Sequence, residues 1–192
     1  MSQTIPPELL EEAYRQGIFP MADEDGRIRW YLPDPRTIID LDRFHVSRRL
    51  TRTIRQRKFE ITVNRNFDGV IRGCADREET WISEEIAAAY SALHRFGKAH
   101  SVEAYYHGNL AGGIYGVSLG GAFMGESMFS IVRDASKVCL AFLAGRLKER
   151  GYLLFDVQFT TPHLKRFGAV EISRREYIRR LEKALALPCR FD

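Results

Sequence analysis

Residues 100–129 read HSVEAYYHGNLAGGIYGVSLGGAFMGESMF, and this stretch decides the fold. It contains three segments with strand-like composition, His100–Tyr106, Leu110–Val117 and Ala122–Phe129. The separators His107-Gly108-Asn109 and Gly120-Gly121 favour tight hairpin turns, because glycine adopts positive φ without steric cost. The stretch therefore predicts an antiparallel meander of three strands at the centre of the chain.

Helical patterns surround the meander. On its N-terminal side the sequence predicts helices over residues 7–16, 46–57 and 66–75, a strand over Phe59–Val63, and a helix from the N-cap Ser83 to Gly97. On its C-terminal side it predicts an amphipathic helix over 136–150, through Leu140, Leu143 and Leu147, and then a buried strand over Tyr152–Phe159. A last helix is predicted over 174–186, where Ser173 and Glu176 have the spacing of a capping box. Residues 17–36 are rich in Gly and Pro and are predicted to be irregular. A meander followed by a helix and a further strand indicates an α+β, or mixed α/β, core.

Composition excludes several classes of protein. The net charge of +4 and the pI of about 9.0 are compatible with an anionic partner. No apolar run approaches the roughly 20 residues that span a bilayer, and no secretory signal is present, so we expect a cytoplasmic protein without membrane contact. The three cysteines are widely spaced and form no C-x-x-C pair, which favours reduced thiols over disulfides or zinc.

A basic segment runs from Arg43 to Lys58, with six arginines, one lysine and no acid. Helical geometry places three of the arginines on one face, Arg48, Arg52 and Arg55, opposite an apolar stripe of Val46, Leu50 and Ile54. Most such faces are only solvated surface. The excess of arginine over lysine nevertheless favours contacts with the phosphates of a nucleic acid.

Two strands carry candidate chemistry. Alternation along Ala122–Phe129 places Met124, Glu126 and Met128 on one face, which indicates an apolar pocket with one charged group. Alternation along Tyr152–Phe159 places Asp156 and Gln158 on one face. Each carboxylate has a structural alternative, and for Asp156 this is a buried Asp–Arg pair or a carboxylate at a strand end.

Common catalytic motifs are missing from the sequence. It contains no P-loop, no G-x-G-x-x-G and no H-E-x-x-H, and Ser127 lacks the G-x-S-x-G context of a hydrolase nucleophile. These observations disfavour nucleotide hydrolysis, dinucleotide binding, zinc-dependent proteolysis and serine hydrolysis.

Seven short motifs resemble those of the leucyl/phenylalanyl-tRNA–protein transferases, and the resemblance covers about residues 8–182. In order they are Tyr14-Arg15-Gln16-Gly17-Ile18-Phe19-Pro20, Pro33-Asp34-Pro35-Arg36, Thr80-Trp81-Ile82, Ala99-His100-Ser101-Val102-Glu103, Gly125–Ser130, Ala135-Ser136-Lys137 and Asp156-Val157-Gln158. One such motif is weak, whereas seven in the family's order are specific. The resemblance departs at Met21, where better-studied members have a tryptophan that stacks on adenine.

The resemblance implies an acetyltransferase-like (GNAT-like) core with a small N-terminal domain. We predict an N-terminal, tRNA-contacting region over residues 1–62 and a catalytic domain over 63–192. The family transfers Leu or Phe from aminoacyl-tRNA to the N-terminal α-amine of proteins that begin with Arg or Lys, which marks them for N-end-rule degradation. It uses no metal and no cofactor, and we expect a monomer.

The resemblance also implies roles for particular residues. Catalysis is assigned to Asp156, Gln158 and Glu126, with Gln158 orienting the amine and Asp156 fixing Gln158. Contacts with the tRNA are assigned to Trp81, Tyr90 and Tyr14 at the 3′ adenosine and to Arg48, Arg52 and Arg55 along the backbone. The pocket for the amino-acid side chain is assigned to Ile114, Phe123, Met128, Leu140, Leu143 and Phe155.

Two other functions stay open on the residues alone. An acyl-CoA-dependent N-acetyltransferase would use the same type of core, but the sequence lacks the glycine-rich loop that would hold the pyrophosphate. A non-catalytic RNA-binding protein would use the arginine-rich helix, but it would leave Glu126, Asp156 and Gln158 without a role.

Overall fold

The structure is a computed structural model that describes residues 5–192. Its helices are α1 (Pro7–Arg15), α2 (Arg48–Arg55), α3 (Phe67–Ala75), α4 (Glu84–Arg95), α5 (Ala135–Glu149), α6 (Pro162–Lys165) and α7 (Arg174–Leu185). Its strands are β1 (Phe19–Ala22), β2 (Ile28–Tyr31), β3 (Arg36–Ile39), β4 (Glu60–Val63), β5 (Ala99–Tyr106), β6 (Asn109–Leu119), β7 (Ala122–Ser130), β8 (Leu154–Gln158) and β9 (Ala169–Ile172).

Seven strands form one mixed sheet in the order β4-β5-β6-β7-β8-β3-β9, and β1 and β2 form a separate hairpin. The predicted meander is confirmed, since β5, β6 and β7 pair antiparallel in sequence order. His107 and Gly108 both have positive φ between β5 and β6, which is the geometry of a two-residue type I′ turn. This hairpin twist suits the flanking strands and fixes their register.

The strand after the meander enters the sheet in parallel. Helix α5 leaves the end of β7 and returns the chain so that β8 lies parallel to β7. This meander, crossover helix and parallel strand make up the mixed α/β core that the sequence predicted, and the prediction of fold class is confirmed.

Helices cover both faces of the sheet. The apolar sides of α1, α3, α4 and α7 fill one core, and α2 and α5 fill the other. The predicted N-caps are confirmed: the hydroxyl of Ser83 accepts a hydrogen bond from the backbone N–H of Ile86, and that of Ser173 accepts one from Glu176. Each bond satisfies an N–H group that has no partner inside the helix.

Some elements differ from the prediction. The segment 17–36, predicted to be irregular, contains the β1–β2 hairpin and the first residue of β3. The sequence patterns predicted neither the strand β9 nor the short helix α6. Helix α2 is shorter than predicted, and Ile54 is 39% exposed, so only Leu50 of the proposed apolar stripe is buried. Strand β3 lies before residue 62 and β4 runs across the boundary, yet both lie in the main sheet, so a separate unit ending at residue 62 stays a prediction.

The cysteines are free thiols, as predicted, with Cys74 and Cys139 buried. Burial raises the pKa of Cys74 to about 12, so this thiol stays protonated and unreactive at neutral pH. Within residues 5–192, no helix combines the length and the hydropathy that crossing a membrane requires.

Candidate active site

A cleft opens where the two parallel strands of the sheet separate. Strands β7 and β8 pair from Ala122–Leu154 to Met124–Asp156, and the pairing stops there. Beyond this point the side chains of Glu126 and Gln158 bridge the gap, with the Gln158 Nε2 donating to the Glu126 Oε1 at 3.0 Å. Ligands of α/β sheets commonly bind at the carboxyl ends of parallel strands, which is the position of this cleft.

A β-bulge aims Glu126 into the cleft. On β6 the neighbours Tyr115 and Gly116 pair with Ser127 and Gly125, so Glu126 is an extra residue without a partner on β6. The bulge reverses the alternation along β7, because Met124 belongs to one core and Met128 packs against the other. The prediction that Met124, Glu126 and Met128 share a face is therefore wrong, and the physical reason is the inserted residue.

Gln158 ends β8 in a constrained turn. Its φ is 56°, and the backbone N–H of Phe159 donates to the carbonyl of Val157 at 2.7 Å, which closes a three-residue turn around Gln158. Turns of this kind with positive φ at the central residue are rare and strained. The Asp156 Oδ1 accepts the backbone N–H of Gln158 at 3.0 Å and holds the turn in place.

Asp156 lies in a buried ion pair. It is 0% exposed, and its two carboxylate oxygens accept from the Arg36 Nε at 2.8 Å and the Arg36 Nη2 at 2.6 Å. The Tyr177 hydroxyl donates to the same carboxylate at 3.0 Å, and the rings of Phe19 and Tyr177 cover the guanidinium. The structural alternative considered for Asp156, a buried Asp–Arg pair, is what the structure contains. Asp156 is connected to the cleft through the turn at Gln158, because its carboxylate accepts the backbone N–H of Gln158.

Glu126 is held by a chain of hydroxyl groups. The Tyr90 hydroxyl donates to the Glu126 Oε2 at 3.0 Å, and the hydroxyls of Tyr14 and Tyr90 are 2.5 Å apart. Burial raises the pKa of Glu126 to about 7, and it outweighs the hydrogen bonds from Tyr14 and Tyr90, which lower that pKa. A carboxyl group with this pKa exchanges a proton readily at neutral pH.

Tyr14 and Tyr90, which the resemblance assigns to the adenosine, lie in the core. Both are 0% exposed and lie behind Glu126, so neither ring is open to a ligand in the cleft. Trp81, the third residue assigned to the adenosine, is partly exposed and lines the cleft. Of the three aromatic residues, Trp81 alone lines the cleft, and the contact of all three with adenosine stays a prediction.

The cleft has a volume of about 410 Å³. Besides Glu126 and Gln158 it is lined by Phe19, Met21, Arg77, Trp81, Ser127, Met128, Val157, Phe159, Thr161, His163 and Leu164. The sequence did not single out residues 159–164 or Arg77. Residues 159–164 follow the strand β8, and their position after a predicted site strand is the signal that could have identified them.

A small apolar recess of about 70 Å³ continues the cleft between β7 and α5. Ile114, Met128 and Leu140, three of the six residues assigned to the side-chain pocket, line it together with Val157 and Leu164. The other three, Phe123, Leu143 and Phe155, are at most 1% exposed and belong to the core behind it. Gly125 also lines the recess and lies against Phe155, since a Cβ at this position would be 3.1 Å from the Phe155 ring.

The predicted arginine face lies outside the cleft. Arg48, Arg52 and Arg55 are exposed and line one groove on the surface of α2. The shared face inferred from helical spacing is therefore present. What the face binds stays a prediction.

Two profiles of one protein family together match most of the chain. The profile of the leucyl/phenylalanyl-tRNA protein transferase family matches residues 38–182, and that of its N-terminal domain matches residues 3–34. Solved structures with some likeness include L-PGS from Bacillus licheniformis, 15% identical, with a TM-score of 0.47 over 93% of this chain and 76% of that one. At this TM-score no functional inference rests on the likeness.

Relatives named leucyl/phenylalanyl-tRNA–protein transferase are similar over nearly the whole chain. The protein from Rubrobacter xylanophilus is 59% identical over 94% of this chain and 95% of its own length. The proteins from Gloeobacter violaceus and Herpetosiphon aurantiacus are 57% and 55% identical over the full length of both chains. The chain therefore belongs to the leucyl/phenylalanyl-tRNA–protein transferase family, and it is an aminoacyltransferase.

Proposed function

We propose that this protein transfers Leu or Phe from an aminoacyl-tRNA to the N-terminal α-amine of proteins that begin with Arg or Lys. The observation that carries the proposal is the Glu126–Gln158 pair, which lies between the main cleft and an apolar recess. The pair offers polar groups to an amine, and the recess offers an apolar surface to the amino-acid side chain beside it.

The donor needs no nucleophile from the enzyme. The aminoacyl ester is already activated, so positioning of the two substrates supplies much of the acceleration. The lining of the recess by Ile114, Met128 and Leu140 suits an unbranched, γ-branched or aromatic apolar side chain. Trp81 is the proposed platform for the terminal adenine.

Glu126 is the proposed proton acceptor. The acceptor's α-amine has a solution pKa of about 7.7–8.0, close to that of Glu126, so a proton passes between them at little cost. The amine nitrogen forms a bond to the ester carbonyl carbon, the bond from that carbon to the ribose oxygen breaks, and the ribose oxygen leaves with a proton. Gln158 orients the amine, and Asp156 holds Gln158 through its backbone N–H.

Negative charge beside the cleft supports an acceptor protein whose first residue is basic. Trp81 lines both the main cleft and a neighbouring groove, and the groove carries five carboxylates, those of Asp23, Glu24, Asp25, Glu78 and Glu79. An acceptor with a cationic first side chain is electrostatically complementary to this groove.

One assay tests the proposed function against the alternatives. The protein is incubated with labelled Leu-tRNA or Phe-tRNA and with peptides that differ only in the first residue, Arg, Lys, Asp or Ala. Label is expected on the Arg and Lys peptides. Label from acetyl-CoA in place of tRNA would identify an acetyltransferase, and tRNA binding without transfer would identify an RNA-binding protein.

The substitution Tyr90→Phe is expected to move the acidic limb of the pH–rate profile to higher pH. It removes a hydrogen bond that stabilises the ionised Glu126, so the pKa of Glu126 rises above about 7 and less of the base form is present at neutral pH. The activity should recover at high pH, which a purely structural defect would not allow. The measurement is single-turnover transfer between pH 6 and 9.

Tyr115→Phe is the matched control. The Tyr115 ring lies edge-on to Tyr90 with centroids 5.3 Å apart, yet among the described residues its hydroxyl has no hydrogen-bond partner. Its pH profile should match that of the wild type. An unchanged profile in Tyr90→Phe would contradict the control of Glu126 by the hydroxyl chain.

A further inference from the structure

A second pocket, of about 170 Å³, lies beside the main cleft and outside the arginine face of α2. We call it the cationic pocket. Its lining comes from α2, α5, α6 and the connecting segments: His45, Ser47, Arg49, Leu50, Lys137, His163, Arg166 and Phe167. Among the described residues that line it there is no carboxylate. His163 also lines the main cleft, so the two cavities adjoin.

Asp134 holds two of the cations at the edge of this pocket. Its Oδ1 accepts from the Arg49 Nη2 at 3.1 Å and from the Lys137 Nζ at 2.9 Å. Asp134 is 8% exposed and precedes α5, but its side chain makes no capping bond to that helix. Its carboxylate therefore serves α2 and α5 together, and it orders cations that would otherwise be mobile.

The pocket stays positive despite Asp134. Three cationic side chains line it, those of Arg49, Lys137 and Arg166, against the single carboxylate of Asp134 at its edge. Burial, Lys137 and Arg166 all lower the pKa of His163, so His163 lies in a positive field and is neutral at pH 7. A neutral imidazole at the junction can donate a hydrogen bond without adding charge.

We propose that the cationic pocket binds a phosphodiester group at the 3′ end of the aminoacyl-tRNA. The inference rests on the proposed function, because the aminoacyl ester has to reach Glu126 in the adjoining cleft. A phosphodiester is always ionised and accepts hydrogen bonds in the fork geometry that arginine offers. The cationic pocket would then bind the 3′ end of the tRNA, and the arginine face of α2 would contact phosphates farther from that end.

Ligands of different length distinguish the role of the cationic pocket from that of the arginine face of α2. The probes are the whole tRNA, the trinucleotide cytidylyl-cytidylyl-adenosine, and adenosine, which carries no phosphate. Arg166→Ala and Arg49→Ala are expected to weaken binding of the tRNA and the trinucleotide by about tenfold each, and to leave adenosine binding unchanged. Binding is measured directly, so the result does not depend on whether transfer occurs.

Matched variants complete the experiment. The double substitution Arg48→Ala with Arg52→Ala should weaken binding of the whole tRNA and leave binding of the trinucleotide unchanged. Arg95 is an exposed arginine on α4, and Arg95→Ala should change the binding of neither the tRNA nor the trinucleotide. Trinucleotide binding that survives both Arg49→Ala and Arg166→Ala would overturn the assignment. Displacement of the trinucleotide by inorganic phosphate at similar concentration would also overturn it, by assigning the pocket to a free anion. Loss of transfer in the wild type with these affinities intact would count against the proposed function only.

Discussion

Replacing Asp156 with alanine is expected to lower the free energy of unfolding by about 3–5 kcal/mol and to abolish transfer. The substitution leaves the guanidinium of Arg36 fully buried without its counter-ion, and it removes an acceptor from the Tyr177 hydroxyl. The backbone N–H of Gln158 loses its partner as well, so the strained turn is no longer held. Chemical denaturation and single-turnover transfer measure the two effects.

Two further variants separate stability from chemistry. Gln158→Ala keeps the ion pair, so it should lose transfer with little change in unfolding. The double substitution Arg36→Met with Asp156→Leu removes both charges, so it should recover much of the stability that Asp156→Ala loses, without recovering transfer. Wild-type stability of Asp156→Ala would show that the ion pair is not needed for the fold, and the role of Asp156 would then be chemical.

Glu126→Gln is expected to slow transfer by about 10²–10⁴-fold at pH 7.5, the usual contribution of a positioned general base. In the wild type the base form of Glu126 accumulates as the pH rises through about 7, so the rate should rise there. With a carboxamide at residue 126 this limb should disappear and leave only that of the acceptor's amine. Rates measured with one acceptor across pH 6–9 would show the difference.

Glu126→Gln should raise the stability of the fold above neutral pH, although it lowers the transfer rate. The pKa of Glu126 is raised in the folded protein, so ionisation of Glu126 destabilises the fold as the pH rises from the ordinary carboxyl range to about 7. Glu126→Gln should therefore unfold at a higher temperature than the wild type at pH 8 and at a similar temperature at pH 4. Glu171→Gln, on the exposed edge strand β9, is the control and should change neither property. A slow enzyme with no gain of stability at pH 8 would contradict the raised pKa of Glu126.

The sequence predicted the elements whose signals are local. Glycine-containing turns defined the β5–β6–β7 meander, and the serines before α4 and α7 marked where those helices begin. Periodicity also identified Leu140, Leu143 and Leu147, which are buried on α5. These features depend on neighbours along the chain, so one sequence is enough to find them.

The features that were missed depend on distant partners. Strict alternation along β7 failed because the bulge at Glu126 exists only relative to β6. The strands β3 and β9 have four residues each, and their pairing is set by β8 and by each other rather than by their own composition. The cleft residues 159–164 likewise take their place from the course of β8. For Asp156, local sequence left two interpretations open, and the partner that decides between them, Arg36, lies 120 residues away.

The position of β3 has a consequence for synthesis of the protein. β3 lies between β8 and β9, so its two neighbours leave the ribosome long after it does. Until they emerge, β3 has no strand to pair with, and Arg36 has neither Asp156 nor Tyr177 beside it. The turn that presents Gln158 therefore forms only when nearly the whole chain has been translated. A prematurely terminated chain that lacks β8 cannot form the candidate cleft, so we expect it to have no transfer activity.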